Sequence, residues 1–376
     1  MSAVVFAASE VGSARAILPV CQLFNERGLP FIVIDRGCMV SEANVVWKQL
    51  KHCPDDTNEI RGFLLDNGVS VLVFSVNIKD PLPLKLARVA KTMNIPTIHV
   101  LDYWNAYSFR MQADGGNLFM PSRYVVPDVI AKQAAIKEGI NPAILEVLGQ
   151  PAFSDAGSSY AEASKHDRAD FLTSLGLDPE KKIIVFVSEP VAMDYGESER
   201  ESKNYRGYTE RDVISIFYEA VKDSSPSLQV CILPHPREDA ASLQKFWREL
   251  GGEAVGRVVS TIRGRDMLPF IAAIAGMAST LLYEAWLVGV PVLSLQPSLV
   301  QDSFRVMQHR SDVVFHDENK GLVQKTRQWL SGILATSNKR YIRSEALFHQ
   351  DAAERIFSLI NSYIENSANN RAMEKA

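Results

Sequence analysis

Short, wholly apolar runs recur along the chain, each bounded by small or polar residues and separated from the next by a stretch with helical periodicity. The first, Ala3 to Ala7, ends in the turn Ala8-Ser9-Glu10-Val11-Gly12, after which Ser13 is placed to cap a helix reaching Gly28. Phe31 to Asp35, Val69 to Ser75 and Thr97 to Leu101 follow as predicted strands, with helical spacing between them, as in Leu82 to Met93. Tyr124 to Val126 predicts another strand. Asp128 caps a helix over Val129 to Glu138 that Gly139 stops, and Ile144 to Leu148 closes the first half. Strands apolar on both faces, alternating with helices, predict a parallel sheet with crossovers on both sides.

After Gly149-Gln150-Pro151 the chain turns small and polar through SDAGSSYAEASKHDR, the composition of a linker. The alternation then restarts. Helices are predicted over Asp167 to Leu175, Glu210 to Lys222 and Ala241 to Leu250, with strands at Lys182 to Val187, Gln229 to Leu233 and Val258 to Val259. A short helix around Met267 to Ile274, a helix over Leu281 to Val288 and a strand from Pro291 to Leu295 complete the pattern. Two doubly wound α/β domains are therefore expected, over residues 1–155 and 170–345, joined by a linker at 156–169. A C-terminal helix over 346–366 is expected to pack back on the first domain, with a frayed tail at 367–376. Residues 193–208 are polar without periodicity and predict a long loop, a kind of segment that in compact domains is often functional.

Length and composition agree with this picture: 376 residues, 47% hydrophobic and 22% charged, fit an ordinary globular protein of two domains. A net charge of -4 gives no general attraction for a nucleic-acid backbone. The apolar tract around Leu268 to Leu293 is interrupted by Pro269, Gly276, Ser279, Thr280 and Glu284, so no transmembrane segment is expected. The N-terminus carries no basic region before its apolar run, and a cytoplasmic protein is expected. The four cysteines Cys21, Cys38, Cys53 and Cys231 form no CxxC pair and the histidines are scattered, so no metal site is expected.

The segment richest in chemistry is Gly276 to Pro291, GMASTLLYEAWLVGVP. Ser279 and Thr280 stand where a helix begins, so backbone N–H groups, two hydroxyls and the positive end of the helix dipole converge on an anion site. Glu284 lies one turn further on, in a helix otherwise almost wholly apolar, where a carboxylate needs a partner such as a ribose hydroxyl. The plain alternative is an ordinary helix cap followed by an exposed glutamate. A second segment, Leu233-Pro234-His235-Pro236-Arg237, follows a predicted strand, so His235 and Arg237 stand where open α/β sheets bind ligands. A third, Val187-Ser188-Glu189-Pro190, ends a strand before the long loop. Glu189 is a candidate for sugar hydroxyls or for a base, and equally an ordinary loop carboxylate.

The Gly276 to Pro291 segment resembles the nucleotide-binding motif of GT-B glycosyltransferases and of UDP-N-acetylglucosamine 2-epimerases, where a small or hydroxyl-rich turn opens a helix bearing a glutamate. The resemblance implies that Ser279 and Thr280 bind a diphosphate and that Glu284 binds a ribose. One departure stands out: those epimerases typically carry Asp-Ser-Gly-Gly and a paired glutamate, where this chain has Met277-Ala278-Ser279-Thr280 and Tyr283-Glu284. His235-Pro236 together with Ser279-Thr280 resembles motifs of bacterial sialyltransferases and capsule-type transferases, which implies a donor-phosphate contact for His235. The segment Asp128 to Phe153 resembles the end of a GT-B N-terminal domain.

The resemblance implies two Rossmann-like domains of GT-B type around an interdomain cleft, the first on the acceptor side and the second binding nucleotide. It implies a metal-independent glycosyltransferase that moves a sugar from a UDP- or CMP-linked donor to a glycan or other hydroxyl acceptor, with no resident cofactor. Glu10, Glu189 and His235 are then the catalytic candidates, and His235, Arg237, Ser279, Thr280 and Glu284 bind nucleotide. Ser9, Gly12, Asp102 and Tyr103 are candidates for sugar or acceptor contacts. Tyr103, Trp104 and Tyr107 together suggest a stacking platform, although aromatic residues after a strand more often pack a seam. An enzyme like the UDP-N-acetylglucosamine 2-epimerases and a non-catalytic GT-B-shaped binding protein are the alternatives.

Overall fold

The computed structural model describes residues 3–42, 50–76, 80–335 and 340–373. The chain forms two compact units, residues 1–154 with 347–376, and residues 155–346. The strands of the first are β1 (Ala3–Ala7), β2 (Phe31–Ile34), β3 (Leu50–Lys51), β4 (Val69–Phe74), β5 (Thr97–Val100), β6 (Arg123–Val126) and β7 (Leu145–Val147), all but β3 from the apolar runs. All pair in parallel, in the order β3-β2-β1-β4-β5-β6-β7. The second unit holds β8 (Lys182–Val187), β9 (Leu228–Leu233), β10 (Gly256–Val258), β11 (Ala273–Gly276), β12 (Val292–Leu295) and β13 (Val313–His316), in the order β10-β9-β8-β11-β12-β13 and again all parallel. Both sheets are doubly wound, and each reverses its strand order at one point: between β1 and β4, and between β8 and β11.

The central strands β1, β4 and β8 are buried on both faces, as their unbroken apolar runs required. β11 is buried likewise, but Ala273–Gly276 overlaps the short helix expected around Met267 to Ile274, and the helix there covers Gly264–Met267 instead. β3 and β13 were not legible as strands. They lie at sheet edges with half-buried or exposed residues, so they carry no continuous apolar signal.

The expected linker at 156–169 needs correction. Ala156–Ala163 is a helix of the second unit, and a further helix begins at Arg168. Its small residues mark close packing rather than flexibility: Ala156 and Ala163 are buried, and a Cβ at Gly157 would touch the Ile342 side chain at 3.6 Å. The last helix runs over Ala352–Met373, into the span expected as a tail at 367–376.

That helix belongs to the first unit. Ile356, Phe357 and Ile360 join the core around the helix Val11–Glu26, and the Phe24 and Phe357 rings meet edge to face at 4.9 Å. The Arg27 guanidinium covers Phe357 at 4.1 Å and pairs with Glu354 at 2.6 Å. At the junction, the Gln150 N–H donates to Nδ1 of the buried His349 (3.0 Å), and Arg355 Nε donates to the Leu148 carbonyl (3.0 Å). The chain thus leaves the first unit and returns to finish its core. No helix among the described residues is long and apolar enough to cross a membrane.

Phe357→Ala should destabilise the first unit by about 3–5 kcal/mol. Chemical denaturation of the full chain checks this, and a cost near zero would show that the last helix does not complete the core.

Candidate functional site

In the second unit the loops after β8, β9 and β11 converge at the carboxyl ends of neighbouring strands. β8 and β11 lie side by side at the switch point, with Val187 opposite Gly276. Gly276 cannot be larger, because a Cβ there would lie 2.6 Å from the Val187 side chain. Beyond it Met277 and Ala278 are buried, Ser279 is half-buried and caps the helix Thr280–Leu287, and Thr280 is exposed as its first residue. The Ser279 hydroxyl accepts from the Leu281 N–H at 3.2 Å. A neutral hydroxyl therefore caps this helix start, at the positive end of the dipole.

Glu189 reaches this turn from the end of β8. Its Oε1 accepts the Ala278 N–H at 2.5 Å, and its Oε2 faces Arg206 Nη1 at 3.4 Å. Arg206 is buried, with its guanidinium over the rings of Phe304 (3.6 Å) and Tyr195 (4.0 Å). Both Glu189 oxygens are thus engaged inside the unit, where they hold the turn. The polar loop expected over 193–208 is correspondingly ordered at both ends. The helix Val191–Tyr195 takes up its start, and at its end the Tyr208 hydroxyl donates to Gln296 Oε1 (2.9 Å). Gln296 Nε2 donates to Ser294 Oγ (3.1 Å), which donates to the Met277 carbonyl (2.6 Å), so this network braces the same turn from behind.

After β9, the His235 N–H donates to Glu238 Oε2 (2.6 Å), and His235 Nδ1 accepts the Arg237 N–H (3.1 Å). The second contact places the proton of a neutral imidazole on Nε2. Glu238 Oε1 also accepts from the Ser188 hydroxyl (2.7 Å), and burial pushes this carboxyl above its ordinary value. Arg237, expected on a phosphate, forms a two-pronged pair with Asp194, Nη1 to Oδ1 at 2.7 Å. Any anion at Arg237 must compete with that carboxylate.

Glu284 is largely buried, as its apolar helix implied, and its partner is Arg265: Nε and Nη2 reach Glu284 Oε2 at 3.0 and 2.9 Å. Arg265 Nη1 also holds both oxygens of Asp155, at 3.2 and 3.1 Å. Arg265, Asp155, Arg206 and Glu238 all escaped the sequence reading. The need of Glu284 for a partner was legible, but nothing in IRGRDML marks Arg265 as that partner, because β11 separates the two helices along the chain.

In the first unit, Glu10 is exposed at the start of the helix Val11–Glu26, where Ser13 Oγ accepts from the Glu10 N–H at 3.2 Å. Ser9 is buried, and its carbonyl accepts the Cys38 N–H (2.8 Å). Here Gly37 has φ +51° and passes so close that a Cβ would lie 2.2 Å from the Ser9 oxygen. Asp102 lies against the first turn, 3.2 Å from where a Gly12 Cβ would be, and pairs with the buried Arg110 at 2.7 Å. This helix start is met by the protein's own carboxylates. The stacking platform needs correction: Trp104 and Tyr107 are buried, with Trp104 stacked on Phe153 at 5.8 Å and donating to Asp128 (2.7 Å). Tyr103 alone of the three is half-buried.

Replacing Glu189 by Ala leaves the Arg206 cation buried without its carboxylate, and should cost about 3–5 kcal/mol of stability. Denaturant unfolding checks this. An unfolding midpoint equal to that of the wild type, with activity lost, would return Glu189 to chemistry.

No protein-family model matches the chain, and no curated sequence matches it. Solved structures resemble it over its whole length. A UDP-GlcNAc 2-epimerase from Methanocaldococcus jannaschii superposes with a TM-score of 0.62 at 16% identity, covering 96% of this chain and 99% of that one. A putative UDP-N-acetylglucosamine 2-epimerase from Listeria monocytogenes gives 0.66 at 15% identity, covering 97% of each. Anabaena Alr3699/HepE, solved in complex with UDP and glucose, gives 0.59 at 12% identity, with 98% and 100% covered. The likeness establishes the architecture: the chain has the two-domain α/β fold of GT-B type that the UDP-N-acetylglucosamine 2-epimerase structures share.

Proposed function

We propose that the protein is an enzyme acting on a nucleotide sugar, of the kind carried out by the UDP-N-acetylglucosamine 2-epimerases. The observation that carries this is the Ser279-capped start of the helix Thr280–Leu287 at the β8/β11 switch point, with Glu284 one turn further on, in a fold that matches those epimerases from end to end. On this reading the diphosphate lies at Ser279 and Thr280, where backbone donors and the dipole favour negative charge. His235 directs its Nε2–H to a phosphate oxygen, Arg237 reaches one by exchanging Asp194 for it, and Glu284 takes the ribose hydroxyls. Ser9, Glu10, Gly12, Asp102 and Tyr103 of the first unit are proposed for the sugar side, with Glu10 and His235 as candidate proton carriers.

Glycosyl transfer to a glycan or other hydroxyl acceptor is the second reading. What favours it is the turn itself, Met277-Ala278-Ser279-Thr280, which departs from the Asp-Ser-Gly-Gly pattern of the epimerases, together with His235-Pro236. Both readings use the same nucleotide site and need no metal ion, since the helix dipole and side-chain donors stabilise the departing diphosphate.

Incubation with UDP-N-acetylglucosamine alone separates them. Epimerisation predicts the 2-epimer of the sugar, N-acetylmannosamine, free or as its UDP conjugate, without any acceptor. Release of UDP only when a glycan acceptor is added would replace epimerisation by transfer. Binding with no turnover under either condition would leave a nucleotide-sugar-binding protein.

A further inference from the structure

We propose that Arg265 is a positioning residue of the nucleoside site, holding the Glu284 carboxylate in one orientation toward the ribose hydroxyls. The inference rests on the nucleotide-sugar reading above. It begins with the surroundings of Glu284: Leu282, Tyr283, Ala285, Trp286 and Leu287 on the same helix are all buried. A carboxylate in that setting is costly unless charge and hydrogen bonds answer it. Arg265 supplies both through a single oxygen, Oε2, which receives Nε and Nη2.

The guanidinium is itself fixed from the far side. Its Nη1 lies between the two oxygens of Asp155, and Asp155 is anchored in turn by the Ser159 hydroxyl at 3.0 Å. All three nitrogens of Arg265 therefore face carboxylates. A planar fork is required for this, and a lysine cannot reproduce it. Because its donors are committed, Arg265 is not placed as a phosphate ligand.

Charge points the same way. Two carboxylates and one guanidinium leave the triad with net negative charge, which repels phosphate and favours neutral hydroxyl donors. The anion-binding end lies one helical turn back, at Thr280, so a nucleotide meets a positive end for its phosphates and a negative one for its ribose. Beside the triad Ala156, Ser159, Tyr160 and Leu268 complete a small hollow with Arg265 and Glu284. Tyr160 is held there by a hydrogen bond from Arg340 Nη1 at 3.1 Å.

The test is calorimetric titration of the full chain with UDP and with 2′,3′-dideoxy-UDP. The wild type should favour UDP by about tenfold or more, the scale of hydrogen bonds to a charged group. Arg265→Met should lower UDP affinity to that of the dideoxy compound and leave the latter unchanged, a pattern that general loosening of the fold would not produce. Arg265→Lys should recover part of the preference. If Arg265→Met does not fold, Asp155→Asn serves instead, since the Asp155 side chain is 52% exposed and tolerates change; it should reduce the preference by a smaller factor. Retention of the wild-type preference in Arg265→Met, or in Asp155→Asn where that variant stands in for it, overturns the inference. Equal binding of the two ligands by the wild type also overturns it but leaves the nucleotide reading intact. A wild type that binds neither ligand overturns the nucleotide reading, and this inference with it.

Discussion

A cation buried among aromatic rings has to be answered by an anion, and in the second unit Arg206 is answered by Glu189. The other oxygen of Glu189 takes the Ala278 N–H, so one carboxylate joins the end of β8, the end of β11 and the loop that carries Arg206. The turn that opens the helix Thr280–Leu287 is thereby fixed before any ligand arrives. Because the pair is neutral as a whole, it leaves the positive end of the helix dipole uncancelled. Preorganised donors of this kind need no rearrangement when negative charge develops against them.

The two units repeat one topology and use its switch points differently. Each sets a carboxylate–arginine pair beside a helix start: Asp102 with Arg110 in the first, Glu189 with Arg206 in the second. In the first unit the helix start also carries the carboxylate of Glu10, whereas in the second the capping group is the Ser279 hydroxyl. Beyond its neutral pair, the first unit thus sets a further carboxylate, Glu10, at the dipole. The second presents hydroxyls and backbone donors, which is the arrangement a diphosphate needs.

Much of the fold was legible because its strands are buried on both faces. A run such as Lys182 to Val187 or Val69 to Ser75 announces itself by apolarity alone, and Gly139 and Asp128 mark a helix end and start by backbone chemistry. What failed was composition read as conformation. The residues of SDAGSSYAEASKHDR are those of a linker, yet small side chains also allow a helix to pack closely, and burial of Ala156 and Ala163 decides for the helix. The chemistry of the site was legible only in part. Ser279, Thr280 and Glu284 follow from local helix physics, while their partners Glu189, Arg206, Arg265 and Asp155 depend on pairings between strands and helices far apart in sequence. For the aromatic cluster after β5 both stacking and packing were open, since sequence gives the rings but not the side of the sheet they fill, and burial of Trp104 and Tyr107 decides for packing.

The central claim is that the second unit carries a preformed nucleotide-diphosphate site. Thermal unfolding of the full chain across a panel of UDP, CMP, CDP and GDP compounds tests it most directly, because a ligand that binds only the folded state raises the melting temperature, the more so the further its concentration exceeds its Kd. The account predicts a rise with at least one nucleoside diphosphate, larger than with the matching monophosphate, and reduced in Glu284→Ala. No rise with any nucleotide of the panel, at concentrations well above those of ordinary enzyme sites, would contradict it.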